Sequence, residues 1–266
     1  MKIFFKILKM LITFLFIGYT ITVLYLLFFT PKEKRFNKAE HSQGIFLSQT
    51  IFSILKFQNP NNSDIYFEQS VPFNKRGDFA KGFLLLNKAV ELEPEVHLGY
   101  RGWIKLRKLR DFENAMLDFN SLDSLTPNFV DAPWGEDIDF LRGECQFGIK
   151  NYEKAIDYFN RNIIENGEDS VEIQTFVYLG ICEYELGNYR KAISEFKRAL
   201  NQFESVPESY FGMAKAYRKL GELEESRINI LKTEEHFAYK RDDIYNEFLN
   251  EIYISEIVEF KQLLNK

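Results

Sequence analysis

The sequence holds little of what enzyme chemistry is usually built from. It has two cysteines and three histidines in 266 residues. His41, His97 and His236 fall in separate regions, and none lies three or four residues from another, so a helical His pair of the metalloprotease kind is absent. There is no Gly-rich phosphate loop and no Gly-x-Ser-x-Gly elbow. Proline and glycine are sparse outside turn positions, which agrees with a helical chain, and the lack of long polar tracts excludes extensive disorder. Strong charge is missing too. A net charge of −5 gives no basic stripe for nucleic acid. Glu222, Glu224, Glu225, Glu234 and Glu235 read as solvated turns and helix faces. No catalytic set, cofactor or metal site is expected, and the expected class is not an enzyme.

What is abundant is aromatic, above all the 27 phenylalanines. Their spacing is clearest between Leu179 and Leu200. Phe176, Leu179, Gly180, Ile181 and Tyr184 mark one amphipathic helix, and Tyr189, Ala192, Ile193, Phe196, Ala199 and Leu200 mark a second. Leu186-Gly187-Asn188 turns the chain between them, because Gly accepts the positive φ of a helix C-cap. Gly180, Ala192 and Ala199 leave room where the helices approach, and Phe196 fills the adjacent space. One hairpin cannot bury its apolar face alone, so neighbours are required.

The pattern recurs at a period of about 34 residues. Downstream, Ala214, Tyr217, Leu220-Gly221, Leu223, Ser226 and Ile230 take the corresponding places. Upstream come Gly143, Tyr152, Ala155 and Phe159, then Phe112, Ala115, Phe119 and Pro127, then Gly77, Phe79, Gly82, Leu86, Ala89 and Pro94. Cys145 and Cys182 hold equivalent small, buried positions in successive units and read as packing residues. Stacked helices lie about 8–10 Å apart, too far for an unstrained disulfide.

This small–large rule at this period resembles the tetratricopeptide repeat family, most closely in the runs Gly77–Pro94 and Leu186–Leu200. The resemblance implies an all-α, right-handed solenoid of helical hairpins. The expected organisation is an anchor at 1–31, a connector with a short helix at 32–62, repeats at 63–95, 96–128, 136–170, 173–206 and 207–240, and a capping helix in 241–266. The capping helix is expected because a terminal repeat must hide its open face, and Ile244, Phe248, Ile252, Ile257 and Leu264 supply an apolar stripe.

The anchor rests on an uncharged run from Met10 to Thr30, preceded by Lys2, Lys6 and Lys9. About 20 such residues span a bilayer's hydrocarbon core as a helix. The competing reading is a cleaved signal peptide. The run exceeds a usual signal core, and its exit offers no small-x-small cleavage site, so the anchor is favoured. Basic residues nearly tie on its two flanks, and the balance leans toward repeats outside the cytoplasm.

Departures from the rule are as informative as its copies. Ser63 or Asp64 is the expected N-cap of the first repeat helix, and Pro72 should kink or shorten that helix. The second unit carries about one extra residue, which predicts a bulge or longer turn near Arg107 to Arg110. About six extra residues, within the stretch Asn128 to Gly135, form an aromatic insertion expected to pack over the stack or to wall a ligand site. Arg101 and Arg142 precede the small glycine, and an acid on the second helix of the unit, such as Asp118 or Asp157 with Tyr158 nearby, is their expected partner.

In this family the first helix of each unit lines a concave groove. The register therefore assigns Phe67, Asn74, Trp103, Arg107, Phe140, Glu144, Phe147, Val177, Ile181, Tyr184, Phe211, Lys215 and Arg218 to it. Aromatics interleaved with both charge signs suit an extended peptide better than a polyanion. The carboxylate clamp of some relatives is not carried over, since Phe67 and Val71 stand where it needs polar groups. The expected function is a membrane-anchored scaffold that binds a protein or peptide, with no nucleic acid and with the membrane engaged through residues 10–30. The alternatives are an accessory factor in envelope assembly or secretion, and an enzyme with its site near Trp134.

Overall fold

In the computed structural model every regular element among the described residues is a helix, and fourteen of these are α-helices. The structure describes residues 2–127, 129–243 and 246–264, with side chains from Phe4 onward. Asn128 of the insertion and Ile244 of the expected terminal stripe lie outside the described residues. The chain forms two compact units, Met1–His97 and Leu98–Lys266, considered separately below.

The first unit begins with α1 (Lys2–Phe28), whose stretch Phe4–Phe28 is long and apolar enough to cross a membrane, with 6% of its most apolar window buried. Its last turn is not free. Leu26 and Leu27 are buried, and Leu27 joins Ala39, Ile51, Phe52, Leu55 and Ile65 in a small core. That core is supplied by α2 (Lys32–Glu40) and α3 (Phe46–Gln58). The single expected connector helix is thus two. α2 has almost no apolar period, so its sequence KEKRFNKAE carries no helix signal. It is held partly by Arg35, 5% exposed, which donates to the Leu27 carbonyl at 2.8 Å and to Gln58 at 3.0 Å. A guanidinium there satisfies an orphan carbonyl at the end of α1 and complements its dipole.

α4 (Ser63–Lys75) and α5 (Phe79–Leu92) follow as a hairpin. The cap of α4 is Asn62, one residue earlier than expected, whose Oδ1 accepts from the Ile65 amide at 3.1 Å. Ser63 instead turns its hydroxyl to Glu93 and His97. Pro72 does not shorten the helix: α4 has 13 residues, the same as α10 and α12 below. Proline costs α4 the single bond to the carbonyl four residues back, and the chain continues to Arg76, whose amide reaches the Pro72 carbonyl.

The second unit comprises most of α6 (Pro94–Ile104), then α7 (Phe112–Leu125), α8 (Ile138–Gly148), α9 (Tyr152–Asn166), α10 (Ile173–Glu185), α11 (Tyr189–Gln202), α12 (Pro207–Lys219), α13 (Leu223–Glu235) and α14 (Ile254–Leu264). Consecutive helices pair as antiparallel hairpins, and the glycine–phenylalanine fit holds them. A Cβ on Gly180 would lie 2.5 Å from the Phe196 ring, one on Gly143 would lie 2.5 Å from Phe159, and one on Gly102 would lie 2.7 Å from Phe119. Gly212 faces Phe196 from the next hairpin, so one ring is wedged between two glycines. Phe119, Phe159 and Phe196 are all fully buried.

The hairpin turns share one geometry. Gly187 and Gly221 have φ of 81° and 79°, and the corresponding places in the two earlier hairpins hold Arg110 at 52° and Lys150 at 62°. The extra residue of the second unit is absorbed just before Arg110, as a π-helical turn over Lys105–Leu109. The insertion forms a short 3₁₀ turn, Pro133–Gly135.

The terminal segment differs most from expectation. Helix begins only at Ile254, not near Asp242. α14 buries Ile257, Phe260 and Leu264, and with Ile252 they close over Phe211, Ala214 and Ile230. The described residues from Lys240 to Tyr253 form no helix, and several of them anchor elsewhere.

Candidate functional site

The inner layer of the second unit consists of α6 with its π turn, α8, α10 and α12, and the residues assigned to the groove lie on it. Few of them are open. Phe140, Glu144 and Val177 are 0% exposed, Arg107 is 1%, Phe211 is 4% and Trp103 is 7%. Phe147, Ile181, Tyr184, Lys215 and Arg218 are half-buried. In the first unit, Phe67 is half-buried and stacks on His97 at 5.0 Å. Asn74 is buried against Gly82 within its own hairpin, and neither amide atom has a hydrogen-bond partner among the described residues. As an open contact surface the assignment is therefore corrected for the six closed positions and for Asn74. Phe140 and Val177 belong to the core, Phe211 lies under α14, and the charged pair is consumed internally.

That charged pair is the centre of the site. Arg107 Nη2 lies 2.6 Å from Glu144 Oε2 and 2.5 Å from Glu136 Oε1. Glu144 Oε1 accepts from the Tyr178 hydroxyl at 2.7 Å, and Glu136 Oε2 accepts from Trp103 Nε1 at 2.9 Å. Burial alone would lower the Arg107 pKa, but Glu144 and Glu136 outweigh it and hold the guanidinium above its ordinary value. Burial, reinforced by Glu144, raises Tyr178 well above the usual phenol range. Nearby, Glu172 at the start of α10 is pushed up to about 7, first by burial and then by Glu136. Three carboxylates thus face one arginine of the repeat face.

The second arginine comes from the tail. Arg241 reaches Glu144 at 3.5 Å and Glu136 at 3.6 Å, and its amide donates to Glu208 at 2.5 Å. The tail continues over the same face. The Phe248 ring has the Arg241 guanidinium 3.6 Å away and the Arg107 guanidinium 5.1 Å away, both within cation–π reach. Leu249 packs on the core of α8 to α12, Asn250 donates to Gln174 at 2.5 Å, and Glu247 pairs with Arg110 at 3.3 Å.

The insertion closes one side. Trp134 sits at φ 58° and lies against Tyr100 at 4.7 Å and Trp103 at 5.9 Å, while Pro133 faces Gly99. Positive φ at a bulky residue is costly and persists where its surroundings impose it. The arginines before the small glycines pair within the chain. Arg101 is bidentate to Asp118 at 2.7 and 2.9 Å, as expected, whereas Arg142 takes Asp139 and Asp123 in place of Asp157. Cys145 and Cys182 are buried free thiols, and burial raises the pKa of each.

In the first unit Asp64, Glu93 and His97 bring donor atoms within 4.8 Å of one another. The buried His97 ring is engaged there by the Ser63 hydroxyl at 2.9 Å, and burial lowers its pKa. The residues that sequence reasoning missed are Glu136, Glu172, Tyr178, Arg241 and Asn250. Tyr178 stands at a core position, and Arg241 follows the end of the period, where no register assigns a direction.

Similarity to known proteins agrees with this architecture. The tetratricopeptide repeat family profile matches residues 174–205. No curated protein matches the sequence. Among solved structures, a tetratricopeptide repeat protein from Parabacteroides merdae ATCC 43184 superposes with a TM-score of 0.65 at 15% identity, covering 88% of this chain and 85% of its own. PilW, described as a type IV pilus biogenesis factor, gives 0.61 at 14%, covering 78% and 94%. YrrB, described as a repeat protein with an unusual peptide-binding site, gives 0.54 at 14%, covering 70% and 91%.

Proposed function

We propose that this tetratricopeptide repeat protein is a membrane-anchored scaffold whose second unit takes an extended segment of a partner protein along α6, α8 and α10. The fold matches that of tetratricopeptide repeat structures, one of them described as having an unusual peptide-binding site, and this supports an interaction role. The observation that supports the finer reading is that this face already accommodates non-helical polypeptide, the described residues 241–243 and 246–253, through side-chain contacts. A surface that holds an extended chain by an aromatic ring, a leucine and paired charges has the chemistry of peptide recognition. The anchor reading is supported by the apolar stretch Phe4–Phe28.

The test uses the full chain in its native membrane, with a photo-crosslinking residue at Tyr184 on the inner face or at Lys197 on the outer face of the second unit. Adducts concentrated at the inner position are expected, on a protein that resists alkaline extraction and keeps its N-terminal segment by intact mass. Equal adducts at both positions would overturn the groove reading, and an extractable or shortened chain would overturn the anchor. Protease accessibility of the repeats in intact cells, expected if they face outward, reads the side of the membrane.

A further inference from the structure

Resting on that reading of the groove, we infer that its external ligand is an extended peptide bringing an arginine and an aromatic ring that stack on one another, and that the described residues 241–243 and 246–253 are a resident copy of this ligand which the incoming peptide displaces.

The first argument is length. α13 ends at Glu235 and α14, which packs on it, begins at Ile254. Neighbouring helices in bundles are usually joined by about 2–8 residues. Capping the last hairpin requires only Ile252 and α14. The connection instead leaves this end of the stack, reaches Arg110 and Gln174, and returns. A cap alone gives no reason for the detour.

The second argument is charge. Glu136, Glu144 and Glu172 face Arg107, an acidic excess in a poorly hydrated place. Arg241 supplies the missing cation. Past Arg241 the segment is acidic, with Asp243 and Glu247 near Lys108 of the basic π turn and Glu247 meeting Arg110. The segment therefore matches the groove's polarity along its length, which a loop held only by its ends need not do.

The third argument is how it is held. The backbone bonds of its described residues are mainly local, such as the Asn246 amide to Asp243 and the Tyr253 amide to Glu256. The distant grip is mostly by side chains: Arg241, Phe248, Leu249 and Asn250. Such a strap can leave without unravelling any hairpin, and a peptide with the same side chains can take its place. Free peptide must compete with a segment tethered at high effective concentration, so a closed groove binds weakly until the strap is loosened.

The experiment measures binding of a fluorescent synthetic peptide with the sequence of residues 239–254 to the full-length protein in detergent micelles. The double variant Arg241→Ala, Phe248→Ala should bind it at least tenfold more tightly than wild type. A peptide carrying the same two alanines should lose that gain. Glu247→Lys, at an exposed position, tests the same point without risk to the fold and should tighten binding about twofold or more. Equal binding by wild type and Glu247→Lys, or no binding by a double variant that keeps wild-type helicity, overturns the inference. A wild-type dimer that the double variant converts to monomer also overturns it, because the strap would then belong to a second copy. Partner adducts at Tyr184 without peptide binding would overturn this inference and leave the groove reading intact; loss of both would overturn both.

Discussion

Replacing Arg107 with methionine should be among the most damaging single changes in the second unit, and a second substitution should repair much of the harm. The arginine is 1% exposed, and its 2.6 Å partner Glu144 is 0% exposed. Removing one member of a buried pair leaves the other charge without its counter-ion, which typically costs about 3–5 kcal/mol. Here Glu144 keeps the Tyr178 hydroxyl at 2.7 Å and the edge of Arg241 at 3.5 Å, so the lower end, about 3 kcal/mol, is expected. For a unit of this size that amounts to a fall of roughly 6–12 °C in unfolding temperature.

Replacing the pair together, Arg107→Met with Glu144→Leu, removes the stranded charge and should recover more than half of the loss, because apolar replacements of buried pairs are often neutral or better. The chain has two tryptophans, Trp103 and Trp134, and both sit beside this cluster. Intrinsic fluorescence during denaturant unfolding therefore reports the site, while circular dichroism reports the whole helical array. The reasoning is refuted if the single variant costs less than about 1 kcal/mol, or if the double variant is as unstable as the single one.

Three further outcomes follow from the same structure. Gly180→Ala should destabilise by about 1–3 kcal/mol, since its Cβ would lie 2.5 Å from Phe196, and Phe196→Leu in the same chain should recover part of this by thermal unfolding. Lys150→Gly should stabilise by roughly 0.5–1 kcal/mol, because an exposed side chain is held at φ 62° in the turn where two later hairpins use glycine; an unchanged or lower midpoint would refute it. Glu172→Gln should leave stability near pH 4 almost unchanged and raise it at pH 8 by about 2–3 kcal/mol. The sign follows from a folded-state pKa raised to about 7: wild type loses stability as pH climbs from the unfolded-state value through 7, and a glutamine does not. Parallel pH profiles for the two proteins would refute it.

The hairpins were legible because the physics that builds them is local and repeated. A glycine facing a phenylalanine about half a hairpin away leaves a mark in the sequence wherever it recurs, as at Gly102, Gly143 and Gly180. The extra residue near Arg107 was legible as a break in that count, and it appears as the π turn. α2 was not legible: its helix is fixed by Arg35 reaching the end of α1 and by Ala39 in a small core, not by periodicity. The terminal stripe misled because its apolar residues are split between two destinations. Ile252, Ile257 and Leu264 cap α12 and α13, while Phe248 and Leu249 go to the inner face. A helical spacing cannot distinguish one amphipathic helix from an anchored strap followed by a shorter helix.

The three departures from the repeat rule in the second unit meet at one place. The π turn contributes Arg107 and ends at Arg110, the insertion and the residue after it contribute Trp134 and Glu136, and the tail contributes Arg241, Glu247 and Phe248. A solenoid of identical hairpins would present the same inner face at every step and could not favour one register of a bound segment over another. Each departure breaks that repetition by adding a charge or a ring that the repeat rule does not specify. They are also coupled, because Glu136, directly after the insertion, is shared by the arginine of the π turn and the arginine of the tail. A ligand that replaces Arg241 must therefore satisfy a carboxylate already bound to Arg107, which fixes both its charge and its position.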